Sequence, residues 1–509
     1  MARQAPPQRY TRIAAVVCGA AVGAALLERW WFPRAWGEQS ALTSVFYYGD
    51  APRLTSYAIA ILKGQPFDNG IPFHPPGWPL VLASFLRAAG AVRNGDVVVP
   101  VAAVRLFLAA TSAAAVGVTT LVAFDVAGLG TMLAVAVLGA FHFGHIVVGT
   151  VPNSEALYSL CIAAFMWTSW RWLKSEGGRT WAAASALVAG AALIVRAEFL
   201  AAIVVIAAAA WWRHGRSAVP ELAAFAAVLA AALVPTTVWH WRTLSDFNAR
   251  HAGIVAGPLP VFAPVTSYGP FNFAMANHAD ADGGPNRDHP MLDACNQETD
   301  VRLSAGELDL ACPQVYDLYV HGYRIGAAWL LANPGDALAL MARKASYAAG
   351  FLAHGYLIDD VGGGVTGVRR RVDMIDPDRR LLVPVHLLLL ALGLAVLRQQ
   401  REGRWILAAP LAAFAGATLL FYGYVRLGVA YLPPVWILEG AGLAWLAARA
   451  GRRVIPLRTA VILVLAGMGV VLAFEFAHRG ELRAVALDGP RTAAGVAIDD
   501  ETQRIVRTR

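Results

Sequence analysis

Six ionisable residues stand at the ends of apolar runs or just inside them, which is where this chain most plainly holds groups able to do chemistry. Asp50 opens a short helical stretch directly after Tyr47-Tyr48-Gly49. Glu155 follows Pro152-Asn153-Ser154, Arg196 closes an apolar run with Glu198 two residues on, and Arg105 lies near the start of another. Arg242 follows a run and Arg426 sits between two. Each has an ordinary reading beside the functional one. Asp50 and Glu155 are helix-starting acids of the kind that cap and complement the helix dipole. Arg196 and Arg242 suit snorkelling side chains at a membrane boundary. Taken together, acids and arginines at one membrane face form a functional constellation, because ionisable groups there are costly to keep.

That set fits group transfer from a lipid phosphate. Arginines give bidentate, permanently charged recognition of a phosphate and of the charge that grows on it as it leaves. A carboxylate within hydrogen-bond reach takes the proton from an acceptor hydroxyl. One base and one displacement predict inversion at the anomeric carbon of a transferred sugar. A divalent metal is compatible with the carboxylates, but nothing calls for one: there is no His/Cys cluster, and the first loop has no Asp-x-Asp pair.

The elements that position these residues follow from composition. Of 509 residues, 57% are hydrophobic and 15% charged, against roughly 25% charged in soluble domains. Apolar residues gather into runs of about 17 to 25, the length that crosses a hydrocarbon core. The chain reads as an all-α polytopic membrane protein with about eleven spans. They fall near 11–33, 98–124, 129–149, 154–173, 180–196, 198–212, 220–241, 381–397, 405–425, 428–447 and 456–476. The +8 net charge does not mark a nucleic-acid binder, because much of it sits in short connectors: Arg171/Lys174/Arg179, Arg213/Arg216, Arg398/Arg401/Arg404 and Arg449/Arg452/Arg453. By the positive-inside rule those connectors and the amino terminus are cytoplasmic, and the carboxyl tail is outside. Arg369-Arg370-Arg371 and Arg379-Arg380 run against this order. A crossing at 337–357 would invert everything after it, but Arg343 and Lys344 stand mid-segment, so a helix lying along the interface is expected there.

Four parts result: 1–241 with seven spans and a catalytic first external loop at 34–97; a large external loop at 242–380; spans eight to eleven at 381–476; and a polar tail at 477–509. The first loop holds helical stretches from Asp50 to Lys63 and from Pro76 to Gly90, and the second becomes helical from about 314. Cys18 and Cys161 lie in apolar spans as buried thiols, whereas Cys295 and Cys312 share the external loop, where a disulfide is expected. Such a bridge stabilises the loop by roughly 3 kcal/mol in chain-entropy terms.

An ordered series of short motifs resembles the bacterial GT-C glycosyltransferases, relatives of protein O-mannosyltransferases and of lipid A aminoarabinose transferases. It begins with Gly49-Asp50-Ala51-Pro52, Tyr57-Ala58, Leu62-Lys63-Gly64 and His74-Pro75-Pro76-Gly77-Trp78-Pro79-Leu80. It continues through Ser154-Glu155-Ala156-Leu157, Arg196, Trp241-Arg242, Asn272-Phe273, Ala276-Asn277-His278 and Gly283-Gly284, then Asn333-Pro334, Lys344, Arg426 and Pro433-Pro434. The resemblance implies that Asp50 is the catalytic or substrate-orienting acid and that Glu155 shapes the acceptor or donor pocket. It also implies that basic residues, Arg196, Arg242, Lys344 and Arg426 among them, meet the lipid phosphate under a roof of external helices; Arg105 joins them by its charge and position alone. The aminoarabinose branch carries an acid and a lysine before the double proline; Phe73-His74 stands there, with His74 the residue left to meet phosphate. The mannosyltransferase pattern has a second acid after the first-loop aspartate, and Ala51 fills that place.

The function expected is therefore transfer of a sugar from a polyprenyl-phosphate donor to a hydroxyl on lipid, glycan or protein, at the outer face of the cytoplasmic membrane. The alternatives are a transporter or flippase of lipid-linked sugars and a lipid-linked glycan ligase. Transporters carry charges near the midplane and repeated halves; here the charges gather at one surface and no repeat is visible.

Overall fold

With no water to satisfy backbone groups in hydrocarbon, an apolar chain is driven into helix, and helix dominates the fold. The computed structural model describes residues 8–35, 50–65, 70–93, 95–174, 178–284, 289–293, 304–305, 308–349, 379–398 and 400–450, with isolated positions 352, 462, 466 and 469. The helices are α1 (Gln8–Ala35), α2 (Ala51–Leu62), α3 (Gly77–Ala88), α4 (Val101–Ala127), α5 (Leu129–Phe141), α6 (Phe143–Val148), α7 (Glu155–Lys174), α8 (Arg179–Val195) and α9 (Leu200–His214). They continue with α10 (Val219–Arg250), α11 (Gly269–Met275), α12 (Pro290–Asp293), α13 (Pro313–Ala332), α14 (Pro334–Ala349), α15 (Arg379–Leu397), α16 (Arg401–Leu420), α17 (Val425–Ala430) and α18 (Leu432–Ala450). Two antiparallel ribbons are the only strands among the described residues: β1 (Val92–Arg93) with β2 (Asp96–Val97), and β3 (Ser304–Ala305) with β4 (Leu308–Asp309).

Helices lie over ten of the eleven expected runs, and the eleventh falls almost wholly outside the described residues. The chain is thus an α-helical membrane protein, but the count of eleven spans does not carry over. Among the described residues four helical stretches are long and apolar enough to cross a membrane: Thr11–Trp30, Val101–Ala127, Ala197–Arg250 and Glu402–Leu420. A fifth is reached if α13 and α14, bent by 112° at Asn333, make one broken span. The shortfall has physical causes. The run at 129–149 is interrupted at His142, whose extended backbone separates α5 from α6. The stretches α5 and α8 have only 13 and 17 residues. The helices α7 and α18 are long enough, at 20 and 19 residues, but carry Glu155, Arg171, Lys174, Glu439 and Arg449. Conversely, the 54-residue stretch Ala197–Arg250 counts once by composition, yet it turns at Gly215, where φ is +57°. We treat it as two helices, α9 and α10.

One apolar core joins α1, α4, α5, α7, α8, α9, α16 and α18, with Trp172, Tyr158, Tyr431 and Trp436 fully buried in it. By contrast Val234, Val238 and Trp241 leave α10 largely exposed, an apolar surface that suits lipid rather than water. A second core collects the chain outside these helices: Ile71 and Phe73 from the first loop, Leu244 and Phe247 from the end of α10, then Leu259, Phe271, Leu318 and Tyr319. Main-chain and side-chain bonds fasten the first loop to this unit, Ser267 N and Oγ both reaching the Pro72 carbonyl, at 2.9 and 2.8 Å. The expected first-loop helices correspond to α2 and α3, and the helix expected from about 314 is α13. Cys312 caps α13 and takes part in a disulfide; its expected partner Cys295 lies outside the described residues.

Candidate functional site

The cluster forms where α2, α7 and α17 begin and α8 ends. Local sequence explains each placement. Pro52 suits the first turn of α2, which sets Asp50 at the helix entrance. Asp50 makes no side-chain capping bond there, so capping does not account for it, while its place at the helix start still suits the helix dipole. The Pro152-Asn153 turn delivers Glu155 to the first turn of α7, pinned from outside by the Trp78 indole, which donates to the Pro152 carbonyl at 2.7 Å. Gly77 lets α3 pack onto the end of α8: a Cβ there would stand 2.7 Å from the Ile194 carbonyl. That contact seats the first-loop helices directly beside Arg196.

Charges interlock from four segments. Arg426 Nη2 donates to Asp50 Oδ2 at 2.5 Å, and its Nε stands 3.3 Å from Glu155 Oε1. Arg196 Nη1 reaches the same Glu155 oxygen at 3.2 Å, while its Nε holds Glu198 Oε1 at 2.5 Å and its Nη2 donates to the Tyr424 hydroxyl at 3.1 Å. The Tyr424 ring lies beneath the Arg426 guanidinium at 5.6 Å, and the Tyr158 ring beneath Arg196 at the same distance. Glu155 is 2% exposed and its second oxygen, Oε2, is buried without a hydrogen-bond partner. Asp50 differs, with half its side chain open to solvent.

The Arg426 charge holds the Asp50 carboxyl down at about 2; burial opposes it, and His74 and Arg53 add smaller pulls in the same downward direction. Because Asp50 is half exposed, solvent screens this pair and little stability follows from it. His74 Nδ1 lies 3.1 Å from the Tyr57 hydroxyl, and its ring packs edge-on to Phe73 at 4.9 Å.

The structure thus brings Asp50, His74, Glu155, Arg196 and Arg426 together. Lys344 belongs to an adjoining knot: it is fully buried, and its Nζ donates to Asn277 Oδ1 at 2.8 Å and to the Leu419 carbonyl at 3.3 Å. Gly423 joins the two, since a Cβ there would overlap the Lys344 carbonyl. Arg105 is buried in α4 and Arg242 is exposed on α10; among the described residues no ion pair of the cluster includes either. Nor do three His, Cys, Asp or Glu side chains converge there as metal ligands would.

Sequence reasoning left out Glu198, Tyr424 and Tyr158 as site members. Spacing offered one signal, Glu198 standing two residues after Arg196 on a single 3-10 turn. It also placed the charges at one surface, and this is corrected. Arg29, 1% exposed, donates to Ser112 Oγ at 2.6 Å, to the Ala25, Ala140 and Gly139 carbonyls, and to His145 Nδ1 at 2.7 Å. His145 then presents Nε2–H to Ser159 Oγ at 3.1 Å. A second pair, of a half-buried His386 and a buried Glu439, joins His386 Nδ1 to Glu439 Oε1 at 2.5 Å. Compared with family models the chain matches none, and no curated protein matches it in sequence.

Proposed function

We propose that this chain is a membrane glycosyltransferase of the GT-C type, moving a sugar from a polyprenyl-phosphate donor to a hydroxyl acceptor at the outer face of the cytoplasmic membrane. The observation that carries the reading is the Arg426 bridge from Asp50 to Glu155. It joins a solvent-reaching carboxylate to guanidinium groups suited to phosphate, from segments far apart in sequence. In the reaction the acceptor oxygen forms a bond to the anomeric carbon as the bond from that carbon to the phosphate oxygen breaks. Asp50 takes the acceptor proton, and Arg426 and Arg196 hold the departing phosphate. The single displacement inverts the anomeric centre. The topology that goes with it has a cytoplasmic amino terminus and the first loop outside. The donor carrier, the hydroxyl acceptor and membrane lipids are its partners.

The test is release of polyprenyl phosphate by purified protein from a panel of carrier-linked sugars, each with hydroxyl acceptors from the membrane fraction. Release with one sugar, lost in Asp50→Asn, supports transfer; a folded, donor-binding protein that cleaves none of them rules it out. A second reading, movement of lipid-linked sugars across the bilayer, draws on the ionisable groups buried between the helices, Arg29 with His145 and His386 with Glu439. Passage of the intact donor across vesicles without bond cleavage would favour it.

A further inference from the structure

The helix α16 ends at Leu420, and its last carbonyls face no further turn of helix. Two side chains from the unit outside the bundle cap them. Lys344 Nζ, from α14, donates to the Leu419 carbonyl at 3.3 Å, and Asn277 Nδ2, just after α11, donates to the Leu420 carbonyl at 2.8 Å. Asn277 Nδ2 also donates to the Phe273 carbonyl at 2.8 Å, which leaves its Oδ1 to accept from Lys344 Nζ at 2.8 Å. Both side chains are buried. A cation here meets the negative end of the α16 dipole, which accounts for a buried ammonium that pairs with no carboxylate among the described residues.

The same bracket grips the chain beyond the helix. Gly423 N–H donates to the Gly283 carbonyl at 2.9 Å, and a Cβ on Gly423 would overlap the Lys344 carbonyl. A Cβ on Gly283, where φ is +103°, would stand 3.0 Å from the Lys344 backbone nitrogen. The segment leaving α16 is therefore fastened to the external unit at Leu419, Leu420 and Gly423. Tyr424 follows with an extended backbone, and the cluster hangs from it. Its hydroxyl accepts from Arg196 Nη2 at 3.1 Å, its ring lies 5.6 Å from the Arg426 guanidinium, and Arg426, two residues on, reaches Asp50.

Among the described residues Lys344 makes no polar contact with the cluster. Two of its three donors are spent on neutral acceptors and it is fully buried, whereas Arg196 and Arg426 keep 13% and 15% of their side chains exposed. We infer that Lys344, together with Asn277, is a positioning residue: it holds the end of α16 and the connector after it, and so sets where the Arg426 guanidinium stands, without touching the ligand. The inference rests on the donor chemistry proposed above and gives Lys344 this role in place of the phosphate contact that the sequence resemblance implies.

The test uses the full chain in lipid nanodiscs, with Lys344→Met, which keeps the length and loses the donors, and Asn277→Ala, which removes the other cap from a different element. In the ligand-free protein, hydrogen exchange is followed over 421–426. Either variant should speed it roughly tenfold, the factor that one ordinary hydrogen bond carries in an equilibrium constant, with exchange in α4 unchanged. Affinities for polyprenyl phosphate and, as the uncharged control, polyprenol are then read by native mass spectrometry. Lys344→Met should weaken polyprenyl phosphate, and not polyprenol, by roughly tenfold where Arg426 is present and by less than about twofold in the Arg426→Gln background, since a residue acting through Arg426 is not additive with it. Equal losses in both backgrounds would mean that Lys344 meets phosphate itself, and unchanged exchange over 421–426 would remove the bracket; either overturns the inference and leaves the donor reading intact. Failure of both variants to fold would make the pair a requirement of the whole bundle and overturn a role confined to the site. Faster exchange in variants of a protein that binds polyprenyl phosphate no better than polyprenol would uphold the positioning of Arg426 and overturn the donor reading.

Discussion

Replacing Asp50 by Asn separates the structural from the chemical role of this residue. The side chain keeps its size and loses its charge and its ability to take a proton. On the structural side little is at stake. Asp50 makes no capping bond to α2, and its pair with Arg426 is half exposed, a class of interaction worth about 0–1 kcal/mol. Arg426 also has Glu155 beside it, at 3.3 Å, as a second carboxylate partner. The melting temperature should therefore shift by less than about 4 °C. On the chemical side, loss of a general base costs roughly a hundred- to ten-thousand-fold in turnover, or about 2.7–5.4 kcal/mol of barrier. The assay is sugar transfer at saturating donor and acceptor, with the melting curve and donor affinity of the same preparation as controls. Near-normal turnover with unchanged stability would remove Asp50 from the mechanism. A large fall in melting temperature alongside lost turnover would refute the claim that the residue is structurally dispensable.

Three further outcomes follow from the geometry. The Asp50 carboxyl is held at about 2 while Arg426 is beside it, so it stays ionised well below neutrality in the free protein. The acid limb of kcat/KM for the donor should show no Asp50 titration above about pH 3; a limb at the usual carboxylate value near 4 that disappears in Asp50→Asn would contradict this. Arg29→Leu should cost several kcal/mol, because His145 Nδ1, Ser112 and the carbonyls of Gly139 and Ala140 lose a buried donor at about 1–3 kcal/mol each. Thermal unfolding in detergent should register that loss, and leave Arg242→Ala, on an exposed surface of α10, within about 0.5 kcal/mol of wild type. Gly423→Ala forces a methyl group into the Lys344 carbonyl and should destabilise by about 1–3 kcal/mol, with Gly335→Ala, which meets open space, as the silent comparison.

How much of this was legible in sequence differs by kind of signal. Helix positions follow from apolar runs: the run at 98–124 falls on α4 without interruption, and that at 405–425 on α16 as far as Leu420, beyond which the helix breaks. What composition misreads is continuity: His142 adopts an extended backbone inside an apolar run, and its polarity, with that of His145, is lost when hydropathy is averaged over a whole span. Asp50, Glu155, Arg196 and Arg426 were legible because each is an ionisable residue at the edge of an apolar run, a conspicuous departure in a chain with few charges. Arg242 shares that signature but lies exposed on α10, since a residue's place along the chain does not say which side of its helix meets a neighbour. Tyr424 and Tyr158 carried no signal at all. A tyrosine among apolar residues is ordinary, and only packing shows that their rings lie under Arg426 and Arg196.

The buried Arg29 group and the Asp50–Arg426 group use similar residue types to opposite ends, and the difference is one of saturation. Arg29 is engaged on all three nitrogens by acceptors from α1, from α4, from the end of α5 and from α6, all inside the bundle. Moving it would strand those acceptors where no water replaces it, so its role is to clamp helices together. A pathway for ions or lipid-linked cargo needs groups that exchange partners. The cluster at the helix ends meets that condition: Asp50 opens to solvent, one Glu155 oxygen lacks a partner, and Arg426 alone spans both acids. A solvent-reaching carboxylate beside an unsatisfied acceptor oxygen is what a reacting substrate can use, and the saturated Arg29 group offers neither, which is the argument for the proposed transfer reading over transport through the bundle.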